Sequence, residues 1–513
     1  MKQLVTSIIV VFILFLFGQC ESPERVIYYS EFGAVGDGVT DDFDAISKAH
    51  AAANKAGVKV HADAGATYYI GAVNNSAEIQ TDTDWGDAKF IIDDSKVEVK
   101  NSSSNIFKVS SKLPSSKLTT VKTLSKNQAK LDLTLPYRSF IVVTDTTTMR
   151  YIRFGLNQNN GAPQTDVFVV EKNGNVDMKA PIIWDYQQIS TMTVYPIDDE
   201  TLTVSGGHFT TIANQADPQT SPYYSRNISI SRSNVVIEGL HHMITGELEY
   251  GAPYSGFITI SNCSEVTVQN CKLSGHKVYW MVKANGPVQR GTYDISVRAS
   301  INVTFKDCKQ LNDIHDENLW GIFGSNYSKN LVFDNVEFSR FDAHMGVVNA
   351  TVKNSILGRQ GINLIGCGTF LVENTKVCSS NLISLRSDYG STWEGEVIIR
   401  NCEFFPRNGA QSDAVLINGS NSGQHDFGYT CYMPRKITID GLVINDVNHP
   451  EDYSGPKIFT NFNKAFTSEA YIEKYPYVIA EEIVINNLTI KSGKPYIISN
   501  NPFMFRNVII TEK

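Results

Sequence analysis

Eleven residues beyond a recurring apolar position, three successive stretches of the chain carry Asp316, His344 and Asn363. Seven residues beyond it, two carry Arg340 and Arg359. His315 precedes Asp316, and Arg386 lies in LRSDYG beside Asp388 and Tyr389. Upstream, GHKVYWMVKANG supplies His276, Tyr279, Trp280 and Lys283. Guanidinium and carboxamide groups in a row suit a carboxylate-bearing chain. An imidazole can act as a base near neutrality, and a phenol can return a proton to a leaving oxygen. β-Elimination from a uronate needs such a set: a group that carries the enolate-like charge on the carboxylate, a base for the α-proton, and a donor. On this reading His344 is the base, and Arg359, with Arg340 and Asn363, holds the carboxylate. Tyr279 or His315 is the donor, and Asp316, Arg386, Trp280 and Lys283 line the path of an anionic polysaccharide. Each residue alone fits a surface ion pair equally well, such as Arg340 with Asp342; the shared spacing argues for a groove. Two alternatives stay open: a glycoside hydrolase using Asp316, Asp342 or Asp388, and a non-catalytic, adhesin-like glycan binder.

The spacing has meaning only if the stretches stack. From about residue 230 one phrase recurs, as VTVQNCKL from Val266, VTFKDCKQL from Val303, LVFDNVEF from Leu331, ATVKNSIL from Ala350, FLVENTKV from Phe370 and VIIRNCEF from Val397. Each is an alternating strand, a polar pair and a second short strand, with one face buried and one wet. Self-similarity at this period, with no helix between copies, predicts a parallel β-helix. The anchors are Val268, Phe305, Phe333, Val352, Val372 and Ile399. Two residues on come Asn270, Asp307, Asn335, Asn354, Asn374 and Asn401, residue types that tolerate left-handed backbone and suit a stacked corner. The next position holds Cys271, Cys308 and Cys402 among other small residues, so these thiols are expected to fill the core rather than pair or bind metal.

The chain has 513 residues, 42% of them hydrophobic and 19% charged, which is globular composition. Its net charge of −8 argues against nucleic-acid binding. Residues 1–20 form an export leader: Lys2, an apolar run from Ile8 to Phe17, then LFGQC. This predicts a lipoprotein anchored through Cys20, with simple secretion as the alternative. The mature chain is then periplasmic or on the cell surface, touching a membrane only through lipid. Residues 21–111 are expected to form an N-terminal cap and the first coils, 112–215 a small antiparallel β-insertion, and 216–513 the main β-helix. Oligomeric state is not legible.

FGAVGDGVTDD, residues 32–42, could cradle a phosphate, but no Lys-Ser/Thr follows its glycines. Thr40 or Asp41 suits a helix N-cap with Asp44 in a capping box, Phe43, Ile46, Ala49 and Ala53 share one face, and Gly57 stops the helix. Together with VKVHADAGATYYIG, this segment closely resembles the N-terminus of the pectate lyase superfamily. The resemblance implies an all-β fold: a right-handed parallel β-helix with an N-terminal capping helix, the motif being remote from chemistry. It implies a sugar-chain groove along the outside of a parallel sheet. The Asn-Thr-Asp, Asp-Asp and Gly-His-Gly patterns of its polygalacturonase-type hydrolases do not occur in the central coils. Its alginate and chondroitinase B-type lyases use basic residues, several with calcium, so calcium stays open and no other cofactor is implied.

Overall fold

The computed structural model describes residues 25–513 apart from 74, 155–159, 250, 284–285 and 408–412; the leader and Cys20 lie outside the described residues. One parallel strand system runs through the molecule. Val235, Val266, Val303, Leu331, Ala350, Phe370, Val397, Ile437, Ile483 and Ile510 are each in register with the next. The anchors line up the same way, Val268 with Phe305, Phe333, Val352, Val372 and Ile399, and all are buried. Strand side chains alternate, so one apolar residue in every second position gives each coil an inward column. Fully burying each such side chain contributes roughly 1.5–3 kcal/mol. The architecture is a parallel β-helix.

The corner after the anchor is left-handed in every coil: φ is 54° at Asn270, 53° at Asp307, 55° at Asn335, 53° at Asn354, 46° at Asn374 and 50° at Asn401. The side chains then bond along the axis, Asn335 Nδ2 donating to Asp307 Oδ1 at 2.6 Å and Asn374 Nδ2 to Asn354 Oδ1 at 3.2 Å. Cys271, Cys308 and Cys402 are buried beside this ladder, and the seven described cysteines are free thiols. A second ladder escaped the sequence reading: Asn349 donates to Asn330, Asn330 to Asn302 and Asn302 to Glu265, all four residues left-handed. It marks the start of each strand, where the repeat is less regular.

Helix Phe43–Ala56 packs Phe43, Ile46, Ala49 and Ala53 into the same core as Ile27 and Val60. The capping-box expectation needs correction. The residue before the helix is Asp42, whose side chain caps nothing; it accepts from Val35 N (2.6 Å) and Gly36 N (3.1 Å). Asp41 does accept from the first helical N–H, Phe43 N to Oδ1 at 3.1 Å, while it also binds Gly71 N and Ala72 N; Asp37 binds Val39 N and Thr40 N, and Asp44 reaches Asn75 in place of closing a capping box. The aspartates of the opening motif thus tie down their own turn and its neighbour.

Strands Ser116–Lys117, Ser139–Arg150, Ala162–Val170 and Thr191–Pro196 form an antiparallel sheet. One face, with Ile141, Phe168 and Val170, is covered by the sheet's own loops. The other, with Phe140, Val167 and Val169, packs on Ala299 and Ile301 of the coils. Beside this contact Lys329 pairs with Asp166 at 2.8 Å, both side chains almost fully buried. Leu202–Ser205 and His208–Ile212 already pair in the parallel system, so the coils resume before residue 216. No described helix is long and apolar enough to cross a membrane.

Candidate functional site

Beyond the asparagine corner the coils lose their common count. Strand Glu337–Lys353 pairs Phe338 with Leu357 but Arg340 with Gly361, so two extra residues bulge out of the second strand. Gly361 has φ +56°, and a Cβ there would lie 2.5 Å from Ser379 Oγ. Against the preceding strand, Ser325 pairs with Ala343 and Asn326 with Met345, which leaves His344 as the additional residue of a bulge. Bulges re-aim side chains in this way.

The expected stacking of Arg340 on Arg359, and of Asp316, His344 and Asn363 in one row, is therefore wrong by two residues. Asp342 is the residue in register with Asn363, and Asn363 with Ser384. Asn363 itself turns back to donate to Gln360 O. Asp316 is not on a strand: it closes a turn, accepting from Asn318 N at 2.8 Å. His315 is exposed on that turn, and Arg359 is tied to it, Nη1 donating to Glu317 O at 2.9 Å. Arg359, His315 and Asp316 thus meet each other's loop rather than the strip.

What the coils do bring together is a charged cluster. Arg340 Nη2 lies 2.7 Å from Asp342 Oδ2, and Arg386 Nη1 lies 3.1 Å from Asp342 Oδ1. Arg386 Nη2 is 2.9 Å and Arg153 Nη2 2.6 Å from Asp388 Oδ2. Tyr389 lies beneath both cations, 5.4 Å from Arg386 and 5.3 Å from Arg153, and Trp320 lies 5.0 Å from Arg340. Burial alone would raise the Asp342 and Asp388 carboxyls, but the arginines beside them hold both below the ordinary range. Three guanidinium groups face two carboxylates, which leaves one positive charge over. Arg340 is 5% exposed, yet its Nε and Nη1 have no acceptor among the described residues.

His344 is half-buried at the cluster's edge, 5.7 Å ring to ring from Tyr389. Burial, reinforced by Arg386, lowers its pKa to about 4, so the imidazole is neutral at neutral pH. Nδ1 is 3.0 Å from Asn326 Oδ1, an acceptor; with the amide so oriented the proton sits on Nδ1 and the lone pair on Nε2. Arg153, Asn326 and Trp320 were missed in the sequence. Arg153 lies within the insertion, between strands Ser139–Arg150 and Ala162–Val170, far outside the repeat, and no periodicity points to it.

Tyr279 and Trp280 lie on the hairpin Tyr279–Lys283 with Gly286–Arg290; the side chain of Lys283 is outside the described residues. Trp280 is exposed, while Tyr279 is buried, and burial with the nearby Glu247 raises its hydroxyl pKa. The hairpin adjoins the segment bearing Trp320 through a bridge between Lys277 and Leu319. A second polar chain runs under it. Thr211 Oγ1 is 2.8 Å from His242 Nε2, and His242 Nδ1 is 2.8 Å from Asp294 Oδ1. This is the geometry of an activated hydroxyl, but all three side chains are sealed from solvent, so it braces the coils.

Among the described residues no three His, Cys, Asp or Glu side chains gather as a metal site. The calcium left open by the resemblance finds no such ligand set, and no step below runs through it.

No protein-family model and no curated protein matches the chain. Among solved structures, the tailspike gp61 of Pseudomonas phage phi297 is similar at 13% identity and a TM-score of 0.55, over 93% of this chain and 84% of that one. The Gp54 tailspike of Acinetobacter baumannii phage AP22, in complex with A. baumannii capsular saccharide, is similar at 12% identity and a TM-score of 0.51, over 94% and 79%. At these identities the likeness is one of fold, and it supports the parallel β-helix.

Proposed function

We propose that this chain is an exported polysaccharide lyase on a β-helix of the pectate lyase superfamily, tethered through Cys20, which cleaves a uronic-acid-containing glycan along the Arg340–Arg386–Arg153 strip. The observation that carries the reading is the surplus guanidinium charge in a protein of net charge −8, presented outward by Arg153 and Arg386, whose side chains stay 23% and 12% exposed. A uronate carboxylate meets such groups in the geometry that guanidinium favours. The saccharide held by the AP22 tailspike is in keeping with a glycan partner for a fold of this build.

In the elimination, His344 Nε2 takes the proton α to the carboxylate. The C–H electron pair forms the ring double bond as the glycosidic C–O bond breaks. The arginines carry the charge that builds on the carboxylate. The leaving oxygen takes a proton, and Tyr389, a phenol beside His344 kept protonated by burial, replaces Tyr279 and His315 in that role. Arg386 replaces Arg359 as the central carboxylate-side cation. Hydrolysis at this cluster is disfavoured, because it needs one carboxyl protonated near neutral pH and both Asp342 and Asp388 are held ionised.

The test is a panel of uronate polysaccharides read two ways, by ultraviolet absorbance of the unsaturated product and by new reducing ends. Both signals should rise together on at least one polymer. Reducing ends without the absorbance would make the protein a hydrolase, and binding without either would make it a glycan-binding module.

A further inference from the structure

A cavity of about 290 Å³ lies between the antiparallel insertion and the outer face of the coils, on the far side of Tyr151 from the charged strip. Trp184 and Tyr429 form one wall, their rings 6.4 Å apart and inclined by 30°, and Arg150 sits 4.3 Å over Trp184. The floor is the Lys329–Asp166 pair with Cys367 beside it, and the rim holds the half-exposed pair of Lys126 and Glu394, 3.3 Å apart.

We propose that this cavity is a binding site for a single uncharged sugar ring, separate from the strip and completed only when the insertion docks.

Two features select the ligand. The aromatic faces offer apolar area to the C–H face of a ring. The charges lining the cavity balance, Lys126, Arg150 and Lys329 against Asp166, Asp185 and Glu394, and each is already engaged: Lys126 with Glu394, Lys329 with Asp166, Arg150 with Gln164 and Gly428 O, and Asp185 with Lys126 N. A charged ligand would have to displace one of these partners. A hydroxyl-rich ring would not, because a paired carboxylate keeps free lone pairs and a paired ammonium keeps free N–H groups. The volume suits one ring with its substituents. Tyr151 lies 5.3 Å from Tyr429 and 6.0 Å from Tyr389, so one layer of aromatic rings separates cavity and strip. The choice of a sugar over another polar ring rests on the proposed function above.

Cys367 provides a local reporter. The full chain is treated with methyl methanethiosulfonate, and modification of Cys367 is mapped by mass spectrometry with and without methyl glycosides of glucose, galactose and N-acetylglucosamine. Glucuronate is the charged control, and Cys378, half-buried and not among the residues lining the cavity, is the internal one. At least one neutral glycoside should slow labelling of Cys367 but not Cys378, with glucuronate weaker by about tenfold, and Trp184→Ala should weaken protection by about tenfold or more. Equal protection by glucuronate, no protection by any glycoside, or full protection surviving in Trp184→Ala would each overturn the proposal. Should Trp184→Ala fail to fold, the labelling of the unaltered protein decides. Uronate-polymer binding, measured in parallel on the unaltered protein and on Arg153→Ala, keeps the two ideas apart. In the unaltered protein, cavity protection without polymer binding removes the strip and leaves the cavity, and the reverse result removes the cavity alone; polymer binding lost only in Arg153→Ala supports the strip.

Discussion

At the scale of single residues, His344 and Arg386 separate chemistry from bracing. His344→Ala should cut turnover by about 10²–10⁴ while polymer binding persists, because the arginines remain. Unchanged turnover on a polymer that the wild type degrades would remove His344 from the mechanism. The histidine also leaves a signature in stability. Its pKa is about 4 in the fold against 6.5 ordinarily. Between those values the unfolded chain takes up a proton that the folded chain refuses, so stability falls as pH drops through that window. The full effect is roughly 3 kcal/mol. Denaturant midpoints of wild type and His344→Gln, compared at pH 7 and pH 4, should therefore diverge, the wild type losing more; parallel curves would mean that His344 is not desolvated as described. Arg386 differs in kind. Removing it leaves the fully buried Asp342 with Arg340 as its one cation. Arg386→Met should cost less, in denaturant midpoints, than the about 3–5 kcal/mol of breaking a buried pair outright, and adding Arg340→Met should raise the cost to that figure.

At the scale of elements, regularity decides what a sequence discloses. The anchor column and the asparagine corner were legible because each coil repeats them: an inward apolar residue two positions before a left-handed Asn or Asp, from Asn270 to Asn401. The strip was half legible. Arg340, His344 and Arg386 do gather, but counting onward from the anchor assumed equal coils, and the bulges at His344 and before Gly361 add one and two residues. Arg153 was illegible, since only the docking of the insertion brings it to Asp388. That docking has its own test. Lys329→Met leaves Asp166 buried without its cation and should cost about 3–5 kcal/mol. Limited proteolysis should then cut the insertion while the coils stay intact. Loss of the coils together with the insertion would show that the two fold as one unit.

At the scale of the molecule, each coil packs chiefly on its neighbours, so stability should behave as a sum of local terms rather than one global value. Ile46 provides the perturbation: it is fully buried where helix Phe43–Ala56 meets the N-terminal coils, remote along the axis from Arg386. Ile46→Asp puts an unpaired carboxylate into that contact at a cost of several kcal/mol. If the stack responds locally, backbone hydrogen exchange should quicken in residues 25–110 and stay unchanged around Phe338–Leu364. Binding of an anionic polymer should survive as well, since Arg340, His344 and Arg386 lie in coils that keep both neighbours, and Arg153 is carried by the insertion, which docks on Ala299 and Ile301. The binding that survives should weaken with added salt, because the strip's attraction for a uronate is electrostatic. If exchange quickens throughout the chain, the coils are coupled more tightly than neighbour contacts provide. The helix would then be a determinant of the strip's geometry as well as of the end it covers.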